Sequence, residues 1–163
     1  PHYQLTHTAH SRILYLYTSV SYSGVNKMEG YKAALKENRI PVEDSMIHQC
    51  SKSFENSRDL LLSLKEEGLK FDAVLASDDS LAVGAVKYAH TAGISMPEEL
   101  SIIGYNNSLL ARCTDPEITS IDSKVEALCT TTVNTLMGVF SGANVPNRTT
   151  IASALIKRKT TNF

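Results

Sequence analysis

Phe71–Asn107 reads FDAVLASDDSLAVGAVKYAHTAGISMPEELSIIGYNN, a pattern of strand, polar corner, helix, turn and second strand. The first apolar run, Phe71–Ala76, leads into Asp78-Asp79; the second, Ser101–Tyr105, leads into Asn106-Asn107. A crossover helix, Ser80–Thr91, between two such strands makes them parallel and brings both carboxyl ends to one edge of a sheet. Ligands of open α/β sheets bind outside that edge, so the two polar dipeptides predict a binding site there. The apolar strand bodies predict a sheet covered on both faces.

Upstream, Arg12–Tyr17 (RILYLY) is a short apolar strand, and Thr18–Gly24 (TSVSYSG) is a hydroxyl-rich loop. A helix is expected over Val25–Asn38, with Met28, Tyr31, Ala34 and Leu35 on one face, ended by Ile40-Pro41. Met46–Cys50 reads as a second strand. Asn56 reads as the N-cap of an amphipathic helix carrying Leu60, Leu61 and Leu64 and ending at Gly68.

Downstream, Thr114–Glu117 holds a proline turn and Ile118–Asp122 a short extended piece. Ser123–Ser141 is expected to be a helix with Val125, Leu128, Val133, Leu136, Met137 and Phe140, followed by a loop and a closing strand, Thr149–Lys157. The order β-α-β-α-β-α-β, then α-β, predicts an α/β fold with a doubly wound parallel sheet.

Composition excludes several classes. A chain of 163 residues with 42% apolar and 20% charged residues suits one soluble globular unit with a real core. Sixteen basic against seventeen acidic residues leave a formal net charge of −1, with no broad footprint for a polyanion. The one dense basic run, Lys157-Arg158-Lys159, is too short to be a nucleic-acid surface. Cys50, Cys113 and Cys129 are odd in number and widely spaced, which points to free thiols in a reducing compartment. No segment approaches the ~20 apolar residues of a membrane span, and the opening residues show no secretory leader. A cytoplasmic location is expected, with no membrane partner. The first residue is not methionine, and the chain is expected to begin inside a longer protein.

In order and spacing, several segments resemble the lactose-repressor/galactose-repressor (LacI/GalR) family of bacterial transcription regulators. They are His10-x-x-Ile13, Lys27-x-x-Gly30-Tyr31, Ser77-Asp78-Asp79-Ser80-Leu81-Ala82-Val83-Gly84-Ala85, Met96 through Asn107, and Pro116-Glu117-Ile118-Thr119-Ser120-Ile121. The resemblance extends to the tail, Leu155–Thr161. It implies a periplasmic-binding-protein-like fold in which two lobes close on a sugar or similar small molecule. Residues 1–117 would be the C-terminal lobe, 118–148 a crossover and helix belonging to the N-terminal lobe, and 149–163 the return strand and tail. The family's helix-turn-helix, hinge and first lobe would precede this chain, so operator DNA would be bound only through that missing part. A homodimer is implied, with Leu109-Leu110-Ala111 as an interface strip, and His10 would cap a helix end. The Asn-Asn-Ser-Leu corner is similar to that of maltose-operon regulators.

The resemblance also implies site residues. Lys27 stands where the family usually has an arginine that clamps vicinal oxygens; lysine offers a mobile point charge in place of a flat fork. Asp78 would accept from ligand hydroxyls, beside its possible role as an N-cap. Asn106 takes the place of an aspartate and can donate as well as accept, or serve as a turn residue. Ser123 would reach the ligand from the hinge side, and Ser21 and Ser23 from the loop before Lys27. An aromatic platform is implied where this chain has Lys52, so Phe54, two residues on, is the assigned substitute. An apolar helix 123–141 without its lobe would pack on another copy, fold back, or be poorly ordered, because each large side chain gains about 1.5–3 kcal/mol by burial.

Catalysis fits less well. A phospho-receiver needs an acidic pair after its first strand, where this chain has Tyr17-Thr18-Ser19. No histidine among His2, His7, His10, His48 and His90 shares a motif with a cysteine, and there is no Gly-x-Ser-x-Gly elbow. The absence of a phosphate-cradling glycine loop leaves no cofactor expected. Two functions therefore stand: the effector domain of a sugar-responsive repressor, and a sugar-binding protein of a transport system.

Overall fold

The computed structural model describes residues 10–162; His2, His7 and the opening segment lie outside them. One six-stranded sheet runs in the order β2-β1-β3-β4-β5-β6. Its strands are β1 (Ile13–Tyr17), β2 (Ile47–Gln49), β3 (Ala73–Ala76), β4 (Ser101–Tyr105), β5 (Thr119–Asp122) and β6 (Ala154–Ile156). All neighbours are parallel except β5 and β6, which run antiparallel. The helices are α1 (Tyr22–Glu37), α2 (Phe54–Glu66), α3 (Asp79–Ala92) and α4 (Val125–Phe140).

Side-chain alternation on the strands divides the core into two layers. Leu14, Leu16, Val74, Ala76 and Ile102 point to the face covered by α2 and α3, against Leu61, Leu64, Leu81 and Val86. Ile13, Tyr15, Ala73, Leu75, Ile103 and Ile121 point to the opposite face, where α1 contributes Tyr31 and Leu35. The expected face of α1 is therefore the buried one. Helices on both faces, with chain order reversing between β1 and β3, place the topological switch point at the carboxyl ends of those two strands.

Several boundaries differ from expectation for local reasons. α1 starts at Tyr22 because Ser21 caps it, accepting from Gly24 N–H. Ser53, not Asn56, caps α2, accepting from the N–H groups of Glu55 and Asn56. The closing strand is only Ala154–Ile156, since residues 149–153 lie outside the ladder. The helix that His10 is expected to cap would fall in residues 1–9, outside the described residues. His10 itself precedes β1, with Nδ1 3.5 Å from Asp72 Oδ1, while Asp72 also accepts from the N–H groups of Ser11 and Arg12.

The basic tail is an internal fastener. Arg158 donates to the Ile118 carbonyl at 2.7 Å and to Asn107 Oδ1 at 2.5 Å. Buried Thr160 donates its hydroxyl to the Ile102 carbonyl at 2.7 Å and accepts from Thr119 N–H at 2.9 Å. The tail thus ties β4 to β5 where the two strands begin.

α4 is a formed helix with no buried residue. Val125, Leu128, Val133, Leu136, Met137 and Phe140 are each about half exposed or more. The chain turns back at its end, where a Cβ added to Gly138 would lie 2.8 Å from Val145, and Pro146, Thr149 and Ile151 then flank one side of the helix as far as Leu128 across an open groove. A fold-back that buries the apolar stripe is not what the chain adopts.

Candidate functional site

Asp78 and Asp79 come from one strand end but do different work. α3 begins at Asp79, and the Asp78 side chain caps it: Oδ1 accepts from Ser80 N–H at 2.9 Å and from the Ser80 hydroxyl at 2.7 Å. Its other oxygen meets Lys52 Nζ at 2.9 Å and Asn106 Nδ2 at 3.0 Å. A carboxylate has about four acceptor positions, so this one is fully used. Burial pushes the Asp78 carboxyl up, but the hydrogen bonds from Ser80 and Lys52 outweigh it and hold it below its ordinary value.

Asp79 turns inward and is only 1% exposed. It accepts from Ser108 N–H at 2.7 Å, from the Ser108 hydroxyl at 2.8 Å and from the Ser120 hydroxyl at 2.6 Å. Its side chain bolts the β3–α3 corner to the corner after β4 and to β5. Gly104 makes room for it, since a Cβ there would lie 2.2 Å from Asp79 Oδ1.

Asn106 and Asn107 turn the chain after β4 with positive φ angles of 100° and 50°, so the turn-residue role holds for Asn106 together with its hydrogen bond to Asp78. Asn106 is exposed. Lys27, on α1, lays its ammonium 3.7 Å from the centroid of the Tyr105 ring and donates to the Ser77 carbonyl at 3.0 Å. Burial lowers its pKa, against the opposing pull of Asp78.

Lys27, Asp78 and Asn106, three residues expected from sequence, are thus brought together at the carboxyl edge. A cleft of about 640 Å³ opens beside Asn106, lined also by Asp122, Lys124, Val125, Glu126 and Thr130. Ser123 lies between two of those lining residues, half exposed. Lys124 takes a left-handed conformation and pairs with Asp122 at 2.9 Å. Ser21 and Ser23 are exposed at the start of α1, and the Ser21 hydroxyl is engaged in capping.

Phe54 is not a platform at this edge. Its ring faces Lys87 of α3, whose Nζ is 5.1 Å from the centroid, two turns along the helix from Asp78. Sequence reasoning put the platform there and passed over Lys52, which reaches Asp78. Tyr105 supplies an aromatic face, under Lys27. Ala111 is buried, so the strip after the asparagine corner exposes only Leu109 and Leu110.

The model of the periplasmic binding protein-like domain matches residues 3–161. The chain belongs to that family. Among sequences similar to this periplasmic binding protein-like domain is an HTH-type transcriptional regulator of Lachnoclostridium phytofermentans, 51% identical over 151 residues, covering 93% of this chain and 45% of the relative. The Escherichia coli transcriptional repressor AscG superposes with a TM-score of 0.89 at 27% identity, over 98% of this chain and 58% of that one. The lac repressor dimer bound to operator and the anti-inducer ONPF superposes with a TM-score of 0.89 at 25% identity, over 96% of this chain and 55% of that one. The resemblance to lactose-repressor/galactose-repressor regulators is borne out, and the relatives named here are regulators, not enzymes. The chain spans about half the length of the curated relatives it matches. No helix among the described residues is long and apolar enough to cross a membrane.

Proposed function

We propose that this chain is the effector-binding half of a sugar-responsive bacterial transcription repressor, and that effector binding closes a second lobe over its carboxyl edge. The observation that carries this reading is the convergence of Lys27, Lys52, Asp78 and Asn106 at the carboxyl edge of a parallel sheet, next to its switch point, with an open cleft that starts at Asn106. Asn106 and the lysines face the ligand, with Ser123 at the crossing; Asp78 positions Lys52 and Asn106, since its own acceptor positions are filled. Operator DNA is bound by a segment outside this chain, and closure alters the geometry of that segment. Two copies associate through a surface that includes Leu109 and Leu110. A transport-system binding protein would share the fold, but the relatives at hand are helix-turn-helix regulators.

In this reading residues 1–117 and 149–163 form one lobe, and 118–148 cross into the other. The support is α4 itself, a helix with no buried residue and a continuous apolar stripe. Leaving that stripe in water is costly, and a facing lobe removes the cost. Hydrogen exchange tests it. The α4 amides should exchange at least about tenfold more slowly in the whole regulator than in the 163-residue chain, and more slowly again when a bound sugar is added. Equal α4 exchange in the two proteins would overturn the lobe assignment.

A further inference from the structure

Around Asp78 the edge carries two ammonium groups, Lys27 and Lys52, for one carboxylate; the third lysine, Lys124, is paired with Asp122. Lys27 comes from α1 and Lys52 from the loop before α2, and both lie close enough to Asp78 to feel its charge. They also repel one another. Asp78 is paired with Lys52, while Asp79 is turned inward and occupied by Ser108 and Ser120. Among the described residues, no carboxylate lies within ion-pair distance of Lys27. Of the two acids that line the cleft, Asp122 pairs with Lys124, and Glu126 is exposed on α4 and pairs with neither Lys27 nor Lys52.

The two lysines are also the groups with donors to spare. An ammonium has three N–H donors. Lys52 uses one on Asp78 and is 64% exposed; Lys27 uses one on the Ser77 carbonyl and rests over the Tyr105 ring. Asp78, the natural acceptor for sugar hydroxyls, has no acceptor position left. Beside Lys27 and Lys52 a neutral sugar would find many donors and one exposed amide, the free carboxylate of the cleft being Glu126, across on α4. An oxyanion would find two convergent cations, and charge-assisted hydrogen bonds are roughly twice as strong as neutral ones.

We propose that the effector carries an anionic group, a carboxylate or a phosphate, held between the ammonium groups of Lys27 and Lys52 while ring hydroxyls reach Asn106. The proposal rests on the reading of this edge as a sugar-effector site and adds the charge class of the ligand.

Calorimetric titration of the whole regulator with matched triplets tests it: glucose, glucose 6-phosphate and glucuronate, then the galactose and mannose sets. The anionic member of at least one set should bind about tenfold or more tighter than its neutral parent, and should weaken as salt rises from 50 to 300 mM. The relative affinity of phosphate and carboxylate members identifies the source of the charge. K27Q and K52Q, checked for an unchanged melting temperature, should each erase most of the advantage. A neutral sugar bound as tightly as its anionic partners, and lost in N106A, would overturn the anionic proposal and leave the sugar site standing. An anion bound equally by K27Q and K52Q would place it elsewhere and overturn the proposal. No binding by any member of any set would count against both readings.

Discussion

Asp79→Ala should destabilise the chain by about 3–5 kcal/mol, the largest effect expected from any single site. Three donors, the partly buried N–H and hydroxyl of Ser108 and the buried hydroxyl of Ser120, lose their acceptor. Each buried polar group left unpaired costs about 1–3 kcal/mol. The corner after β4 and the strand β5 also lose the bolt that holds them to α3. With a urea slope of about 2 kcal/mol per molar, the unfolding midpoint should fall by roughly 2 M. Ser120→Ala removes a donor to Asp79 and the acceptor of the Asn107 N–H, and should cost about 2 kcal/mol. A midpoint change under about 0.5 M for Asp79→Ala would mean the corner is held by other contacts.

Gly84→Val should cost about 3 kcal/mol, through packing instead of polarity. Gly84 sits where α3 crosses α2, and an added Cβ would lie 1.7 Å from Ser57 Oγ, 2.9 Å from Ser57 Cβ and 2.5 Å from the Phe54 carbonyl oxygen. Ser57 is itself fixed, fully buried and donating to the Leu81 carbonyl at 2.9 Å. Gly84→Ala meets the same atoms; its helix-propensity gain of about 1 kcal/mol offsets only part of the clash. Adding Ser57→Gly clears the side-chain overlap and leaves the Phe54 carbonyl in the way, so rescue in a thermal melt should be partial. Full recovery in Ser57→Gly/Gly84→Ala would show that α2 can slide.

Apolar continuity made the three strands β1, β3 and β4 legible from sequence. Only a doubly covered sheet uses runs such as AVLA and SIIGY, and those runs became β3 and β4. The polar dipeptides at their ends located the edge. Sequence could not divide the labour between Asp78 and Asp79, because adjacent residues at a strand end point opposite ways and the direction depends on what lies across the sheet. Lys52 was hidden for the same reason: its partner is 26 residues away and becomes a neighbour only when β2 and β3 take their places around β1. Phe54 was drawn into the site by chemistry alone, whereas the cap at Ser53 turns its ring toward Lys87. α4 formed as the apolar helix expected from its periodicity, and among the described residues none buries its stripe.

The central claim is that this sheet edge binds a small-molecule effector through Lys27 and Asn106. Calorimetric titration of the whole regulator with a broad panel of neutral and anionic sugars, repeated on Lys27→Ala and Asn106→Ala, addresses it most directly. The account predicts one ligand class bound by the parent and weakened about tenfold or more in each variant, with an unchanged melting temperature for Lys27→Ala and a lowered but still cooperative melt for Asn106→Ala, which places alanine at φ 100° and removes the bond to Asp78. A cognate sugar bound by both variants as by the parent would contradict it.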